Sequence, residues 1–252
     1  MKKIIATFIL FFTFNFIYSQ ELQVTYENNL SKYFTYTEYL FIKNNKILGL
    51  KDTINISNNK IDSKSNTPIL VIKEKNNQII YDKSKNKVVF NGNLGDEQFQ
   101  IQDDVPALNW ETNYDDTKVI LGYVCNKATI SFRGSKLTAY YTKKIKYEEG
   151  PYKFRGLSGL ILEIKDDENS EYNNWIATKI DFNLDESHKN LDFENIFKDL
   201  PKISYKEYLM LLEKKRDEDF YNRVIKTAAP GVKIEKNKIK RGGIEKKYEW
   251  EN

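Results

Sequence analysis

The feature that most constrains the fold is a short alternation of apolar and polar residues that recurs along the chain. It is clearest at 22–26 and 160–164. Side chains of a strand point alternately to its two faces, so this pattern predicts half-buried β-strands. Turn-forming residues separate the stretches, and no helical stretches alternate with them, which favours an antiparallel sheet. The predicted strands are 22–26, 33–42, 69–72, 78–81, 87–90, one starting at Phe99, 123–132, 136–142, 160–164 and 175–182.

Turn and capping signals complete the fold prediction. Asn76-Asn77 is predicted to be a turn between two strands, and Arg133-Gly134-Ser135 a hairpin turn. Ser204-Tyr205-Lys206-Glu207 has the pattern of a capping box, which marks the start of a helix. We therefore predict a mainly β (α+β) fold: a single curved antiparallel sheet, half-barrel or bowl-like, with a C-terminal helix packed on it.

The first nineteen residues have the pattern of a secretory signal peptide. Lys2-Lys3 precedes an apolar run from Ile4 to Ile17, and cleavage is expected between Ser19 and Gln20. The alternative, a membrane anchor, fits less well because the run is short for a spanning helix. No later stretch reaches the necessary apolar length, so we expect an exported protein, periplasmic or secreted, with no transmembrane segment after leader removal.

The C-terminal tail differs in charge from the rest of the chain. Residues 233–252 contain seven basic and four acidic residues. Such a segment is typical of a solvated, partly flexible end, and its interleaved acidic residues argue against a nucleic-acid-binding arm. The predicted organisation is a signal peptide at 1–19, an antiparallel β-rich domain with its helix at 20–230, and a basic flexible tail at 231–252.

The residue types that familiar catalysis needs are scarce. One Cys and one His exclude a disulfide framework, a Cys-based zinc site and a multi-His metal site. Ser158 lacks the second glycine of a nucleophile elbow, since Leu160 stands there, and His188 lies in a polar loop. Adjacent aspartates such as Asp103-Asp104 are more typical of solvated turns than of a paired-carboxylate site. We expect no catalytic residue, no cofactor and no metal, and a buried Cys125.

One segment carries a more specific resemblance. Gly122 to Ala128 is followed by Phe132-Arg133-Gly134, Ala139 to Thr142, and a run from Gly150 to Glu163. This order of motifs resembles the GLPGLI family of exported bacterial proteins of unknown function, with Ser158 where that family usually has Pro. The residues of the family motif, which we interpret as structural, are Gly150, Pro151, Tyr152, Phe154, Gly156, Leu157, Gly159, Leu160 and Ile161.

Fold analogy adds a functional expectation. The arrangement is similar to periplasmic lipoprotein carriers and to the bowl-like N-terminal domain attached to one class of secreted peptide-N-glycosidase. Both analogies imply a hollow inside the sheet, and we expect Trp110, Tyr140, Arg155 and Trp175 to line its ligand surface. We predict an exported, non-catalytic binding or carrier module for a lipid-like, glycan or peptide ligand. A structural or accessory subunit of an outer-membrane assembly is the alternative, and a hydrolase the third hypothesis.

Overall fold

The computed structural model describes residues 21–31, 34–56, 70–83, 86–168, 172–229, 232, 241 and 243–251. The described residues form twelve strands and one helix. The predicted signal peptide and its cleavage point at Ser19 and Gln20 lie outside them. The elements are β1 Leu22–Asn29, β2 Phe34–Lys43, β3 Lys46–Ile56, β4 Leu70–Asp82, β5 Lys87–Leu94, β6 Glu97–Asp104, β7 Thr117–Ile120, β8 Tyr123–Phe132, β9 Ser135–Thr142, β10 Leu160–Asp166, β11 Asn174–Asp181, β12 Lys202–Ser204 and α1 Tyr205–Thr227.

All twelve strands belong to one open sheet in the order β12-β6-β5-β4-β3-β2-β1-β11-β10-β9-β8-β7. Every pair is antiparallel except β12 with β6. The first turns of α1 contact β5, β6 and β12. The predicted β-rich class, with one sheet and a C-terminal helix on it, is therefore confirmed. In the described part of the chain, no helix is long and apolar enough to span a membrane.

Local signals explain most element boundaries. The Ser204 hydroxyl accepts a hydrogen bond from the Glu207 amide at 3.1 Å, as the capping box predicts. Arg133 and Gly134 have φ of 44° and 83°, so they form a two-residue hairpin turn with both residues in the left-handed region.

Three strands were not predicted, and one predicted turn is wrong. β3, β7 and β12 lack a clear alternation of their own. Asn76-Asn77 lies inside β4 because the register with β3 shifts there: Lys51 pairs with Asn77, but Thr53 pairs with Lys73. The extra residues form an irregularity in the ladder, a position that tolerates turn-forming residues.

The two faces of the sheet carry separate apolar clusters. The larger one, on the face that we call concave, includes Tyr26, Leu40, Ile79, Ala139 and Trp175. The other face, which we call convex, carries a smaller cluster of Phe41, Leu48, Leu184 and Phe193. The segment after β11 covers this convex cluster. Cys125 is buried, as predicted, and belongs to the larger cluster.

The sheet is strongly curved, because residues from distant strands meet. β6 and β9 are eight strand-to-strand steps apart in the sheet order. In a flat sheet that distance is about 38 Å, at about 4.8 Å a step. Yet the guanidinium of Arg133, in the turn before β9, binds both carboxylate oxygens of Asp103 on β6 at 2.8 Å. Side chains therefore bridge the two ends of a sheet whose backbone stays open.

This bridge is a buried ionic network. Arg133 Nη1 also donates to Glu245 Oε1 at 2.7 Å, and Lys153 Nζ lies 2.8 Å from both Asp103 Oδ2 and Glu245 Oε1. The side chains of Arg133 and Lys153 are 0% and 1% exposed. Tyr205 donates a hydrogen bond to the second Glu245 oxygen at 3.0 Å. Such dense pairing is what makes the burial of four charges tolerable.

The described residues of the predicted tail pack on the sheet. Ile244, Glu245 and Tyr248 are buried. The amides of Lys246 and Lys247 donate to the Arg133 carbonyl at 2.7 and 2.9 Å. This segment supplies one of the two buried carboxylates of the network. Residues 233–240 lie outside the described residues, so the predicted flexible tail and domain boundaries stay a prediction.

We expect Glu245→Gln to lower the free energy of unfolding by about 3–5 kcal/mol, because it leaves two buried cations with one buried carboxylate. Urea denaturation measures the loss. Glu168→Gln is the control. It removes an exposed ion pair made by Lys246, the residue that follows Glu245. Its effect should be much smaller, and equal losses in the two variants would contradict a special role for the buried pair.

Stability should also fall in acid. Burial by itself raises the pKa of Asp103 and of Glu245, but Arg133 and Lys153 hold both below their ordinary values of 3.8 and 4.5. Protons then bind the unfolded chain more tightly than the folded one. The stabilisation is therefore complete above about pH 4.5 and is lost as the pH falls through the lower, folded-state values. Urea titrations between pH 7 and pH 2 should show this fall, and Glu245→Gln should make it shallower.

Candidate functional site

A loop between β9 and β10, residues 148–156, crosses the concave face. Its backbone is fixed by hydrogen bonds from the Gly156 amide to the Glu148 carbonyl, 2.8 Å, and from the Ile161 amide to the Glu149 carbonyl, 2.9 Å. Lys153 ties the loop to the buried ionic network, and Phe154 is completely buried. The loop is thus held rigidly above the sheet, and it contains most of the family-motif residues.

Two positions of the motif require glycine, each for a different structural reason. Gly156 has φ of 87°, a conformation that L side chains rarely adopt. At Gly159 a Cβ atom would collide with the backbone of Thr142. Both glycines make the sharp return from the loop into β10 possible.

A cleft lies between this loop and the concave face, and Glu38 is its first carboxylate. Glu38 is 6% exposed. It accepts hydrogen bonds from Asn28 Nδ2 at 2.6 Å and Trp175 Nε1 at 2.8 Å, and Lys51 Nζ lies 3.4 Å away. Two donors and an ammonium group stabilise a negative charge at this position.

Glu149, on the loop, is the second carboxylate. It is 3% exposed, and its partner is Lys83 Nζ at 2.6 Å. Burial raises the pKa of Glu149 above its ordinary value, and the positive charges of Lys83 and Arg155 offset only part of that effect. A carboxyl with a raised pKa can hold a proton nearer neutral pH, as a general acid must.

Tyr81 lies near both carboxylates. Burial, with the negative charges of Glu149 and Glu38 nearby, raises its pKa well above the ordinary value of a tyrosine. Its hydroxyl is buried and has no hydrogen-bond partner among the described residues. A cavity of about 10 Å³, also lined by Glu38, Lys51 and Tyr152, lies beside it. This volume has room for about one water molecule. We call Glu38, Glu149, Tyr81 and this cavity the carboxylate cleft.

The structure brings three of the four predicted ligand-surface residues together. Trp110 Nε1 donates to the Arg155 carbonyl at 2.8 Å, and the rings of Trp110 and Trp175 both contact Phe154. Trp175 also stacks on Tyr152 at 5.7 Å. Tyr140 lies on the other face, because it pairs with Glu163 while Trp175 pairs with the next residue, Ile164. Its ring instead lies near the ammonium group of Lys118.

Sequence reasoning missed both carboxylates of the cleft. Glu38 stands inside an alternating strand and Glu149 among polar residues, 111 positions later. The only available signal was that Glu38 occupies an inward-facing position of a predicted strand. Ser158 is exposed, and His188 packs against Tyr39 and Phe41 of the convex side.

Comparison with models of known protein families identifies the family of this chain. A family model described as "N-glycanase peptide, N-terminal domain" matches residues 38–207, which is 170 of the 252 residues. The chain belongs to this family. The match contains Glu38, Tyr81 and Glu149. The resemblance to the GLPGLI family was therefore wrong: it rested on short motifs, whereas the N-glycanase family model matches two thirds of the chain.

A solved structure of PNGF-II shares this fold, and two such structures are similar to the chain. One, in space group P21, is 17% identical, has a TM-score of 0.51, and covers 78% of this chain and 34% of its own. Another, in space group C2, is 20% identical, with a TM-score of 0.46 and coverage of 78% and 33%. The chain therefore spans about a third of the length of PNGF-II. No curated protein sequence matches it.

Membership of this family corrects the functional predictions. The non-catalytic binding or carrier module was wrong, as was the accessory subunit offered as its alternative, because the family is a domain of N-glycanases, which are hydrolases. The prediction that the protein is not an enzyme fails on the same finding. Scarcity of His and Cys did not exclude hydrolysis, because two carboxyls and a tyrosine can also move protons.

Tyr81→Phe should leave the free energy of unfolding unchanged or raise it by up to about 1 kcal/mol, because the buried hydroxyl has no partner among the described residues. Tyr26→Phe is the matched control, since the Tyr26 hydroxyl donates to the Ile161 carbonyl at 2.7 Å. That variant should lose about 1–2 kcal/mol. Urea denaturation compares them, and equal losses would mean that Tyr81 has a structural partner.

Proposed function

We propose that this protein acts in the hydrolysis of N-linked glycans, with the carboxylate cleft as the part that contacts the glycosylated substrate. The observation that carries the proposal is the pair of buried carboxylates, Glu38 and Glu149, near an unpartnered tyrosine hydroxyl. Family membership supplies the substrate class, since the matched family is a domain of N-glycanases.

The residues of the cleft suit the two proton transfers of amide hydrolysis. The sugar is attached to the nitrogen of the asparagine side-chain amide, so hydrolysis of the carbon–nitrogen bond of that amide needs an activated water and a proton for the departing nitrogen. Glu38, with its donors and the nearby Lys51, is the candidate base. Glu149, with its raised pKa, is the candidate acid. Tyr81 can donate a hydrogen bond to a developing oxyanion.

The size of the cavity limits where the substrate can be. About 10 Å³ accommodates the attacking water but no sugar ring. The glycosylated asparagine would therefore approach the rim, where Arg155 and Lys51 are partly exposed. Export, expected from residues 1–19, belongs to this proposal, because N-linked glycans are carried mainly by extracellular proteins.

The test is release of glycans from a denatured N-glycoprotein by the purified full chain. Mass spectrometry measures the free glycan and the conversion of glycosylated asparagine to aspartate. We expect release by the unaltered chain and at least a tenfold lower rate for Glu149→Gln and for Glu38→Gln, because each loses one proton-transfer group.

Glu163→Gln is the matched control. Glu163 is also a buried glutamate paired with a lysine, Lys118, but it lies on the opposite face of the sheet. Its release rate should stay within twofold of the unaltered chain. Circular dichroism establishes that the variants are folded. No release by the folded, unaltered chain, or equal losses in all three variants, would refute the proposal.

A further inference from the structure

A groove of about 670 Å³ lies on the convex side, between strands β3 to β6 and the segment Phe193–Lys202. Its volume falls in the range of ligand sites, about 300–1,000 Å³. Apolar and polar groups both line it. Phe193, Phe197, Ile80 and Val89 form apolar walls. Unlike the carboxylate cleft, this groove has room for sugar rings.

The groove is positively charged. Four lysines line it, Lys46, Lys83, Lys198 and Lys202, against two acidic residues, Asp82 and Glu194. Lys46 is paired with Glu194, and Lys83 with Glu149. Lys198 and Lys202 are exposed and make no ion pair among the described residues. Two ammonium groups are therefore available to an anionic group that enters.

One residue of the groove wall also contains a buried acceptor. Gln100 lines the groove, and its side-chain oxygen is buried with no hydrogen-bond partner among the described residues. Its backbone amide is already used, donating to the Pro201 carbonyl at 2.9 Å. A buried acceptor without a donor is unfavourable, and a rotation of the Gln100 side chain toward the groove would let a ligand hydroxyl satisfy it.

We propose that this groove is a second binding site, for a carboxylate-bearing sugar of the glycan. The carboxylate meets Lys198 and Lys202, a hydroxyl donates to Gln100, and the sugar ring packs against the apolar walls. This inference rests on the proposed glycan substrate, and it adds a preference for acidic over neutral glycans. The groove and the cleft meet at Lys83, which lines the first and binds Glu149 in the second.

The test is isothermal titration of the full chain with sialyl-lactosamine, and with neutral lactosamine, at low ionic strength. We expect the sialylated sugar to bind at least tenfold more tightly, and its affinity to fall as salt is added. Lys198→Gln/Lys202→Gln should remove most of this difference. Lys143→Gln/Lys144→Gln is the control, because it makes the same charge change at exposed lysines outside the groove.

Each outcome separates this site from the proposed function. Equal binding of both sugars, no binding, or equal weakening by the two double variants overturns the groove proposal, even if glycan release continues. Binding that depends on Lys198 and Lys202 supports the groove even if no glycan is released.

Discussion

The buried charges of Arg133, Lys153, Asp103 and Glu245 are the interaction on which the rest of the structure depends. The two edge strands of an open twelve-stranded sheet are free to move apart. Among the described residues, no backbone hydrogen bonds join β12 to β7 and close the sheet. The Arg133 guanidinium binds Asp103 across the opening with two parallel hydrogen bonds, the most directional ion pair that side chains can make. The curvature of the sheet, and so the concave face itself, is maintained by this pairing.

The same network positions the carboxylate cleft. Lys153 is the residue of the loop that belongs to the network. Its sequence neighbours are Tyr152, which lines the cavity of the cleft, and Phe154, which is completely buried. Because the Lys153 ammonium is bound to two carboxylates, the loop cannot lift from the sheet without exposing or breaking these ion pairs. Glu149 thus keeps its place above the concave face through a contact made four residues away.

Much of the fold was predictable, because strand alternation, the Arg133-Gly134 turn and the Ser204 cap are local signals. The Asn76-Asn77 turn failed because a local preference was overruled by pairing with β3. The site was far less predictable. Glu38, Tyr81 and Glu149 come from distant parts of the chain, and they meet because β2 and β4 both pair with β3 and the 148–156 loop crosses the concave face. Nor does composition reveal that Glu245, in a segment rich in charge, is buried: its cationic partners lie 112 and 92 positions earlier.

The position of Glu245 in the sequence has a consequence for biosynthesis. A ribosome makes Arg133 and Lys153 long before Glu245, at about 5–20 residues per second. During that interval the two cations share only Asp103, so water must continue to solvate them and the end of the bowl stays wet. Packing of residues 244–251 then buries Glu245 against the two cations and expels this water. A nascent chain that stops before residue 244 should be a better substrate for proteases and chaperones than a chain that includes residues 244–251.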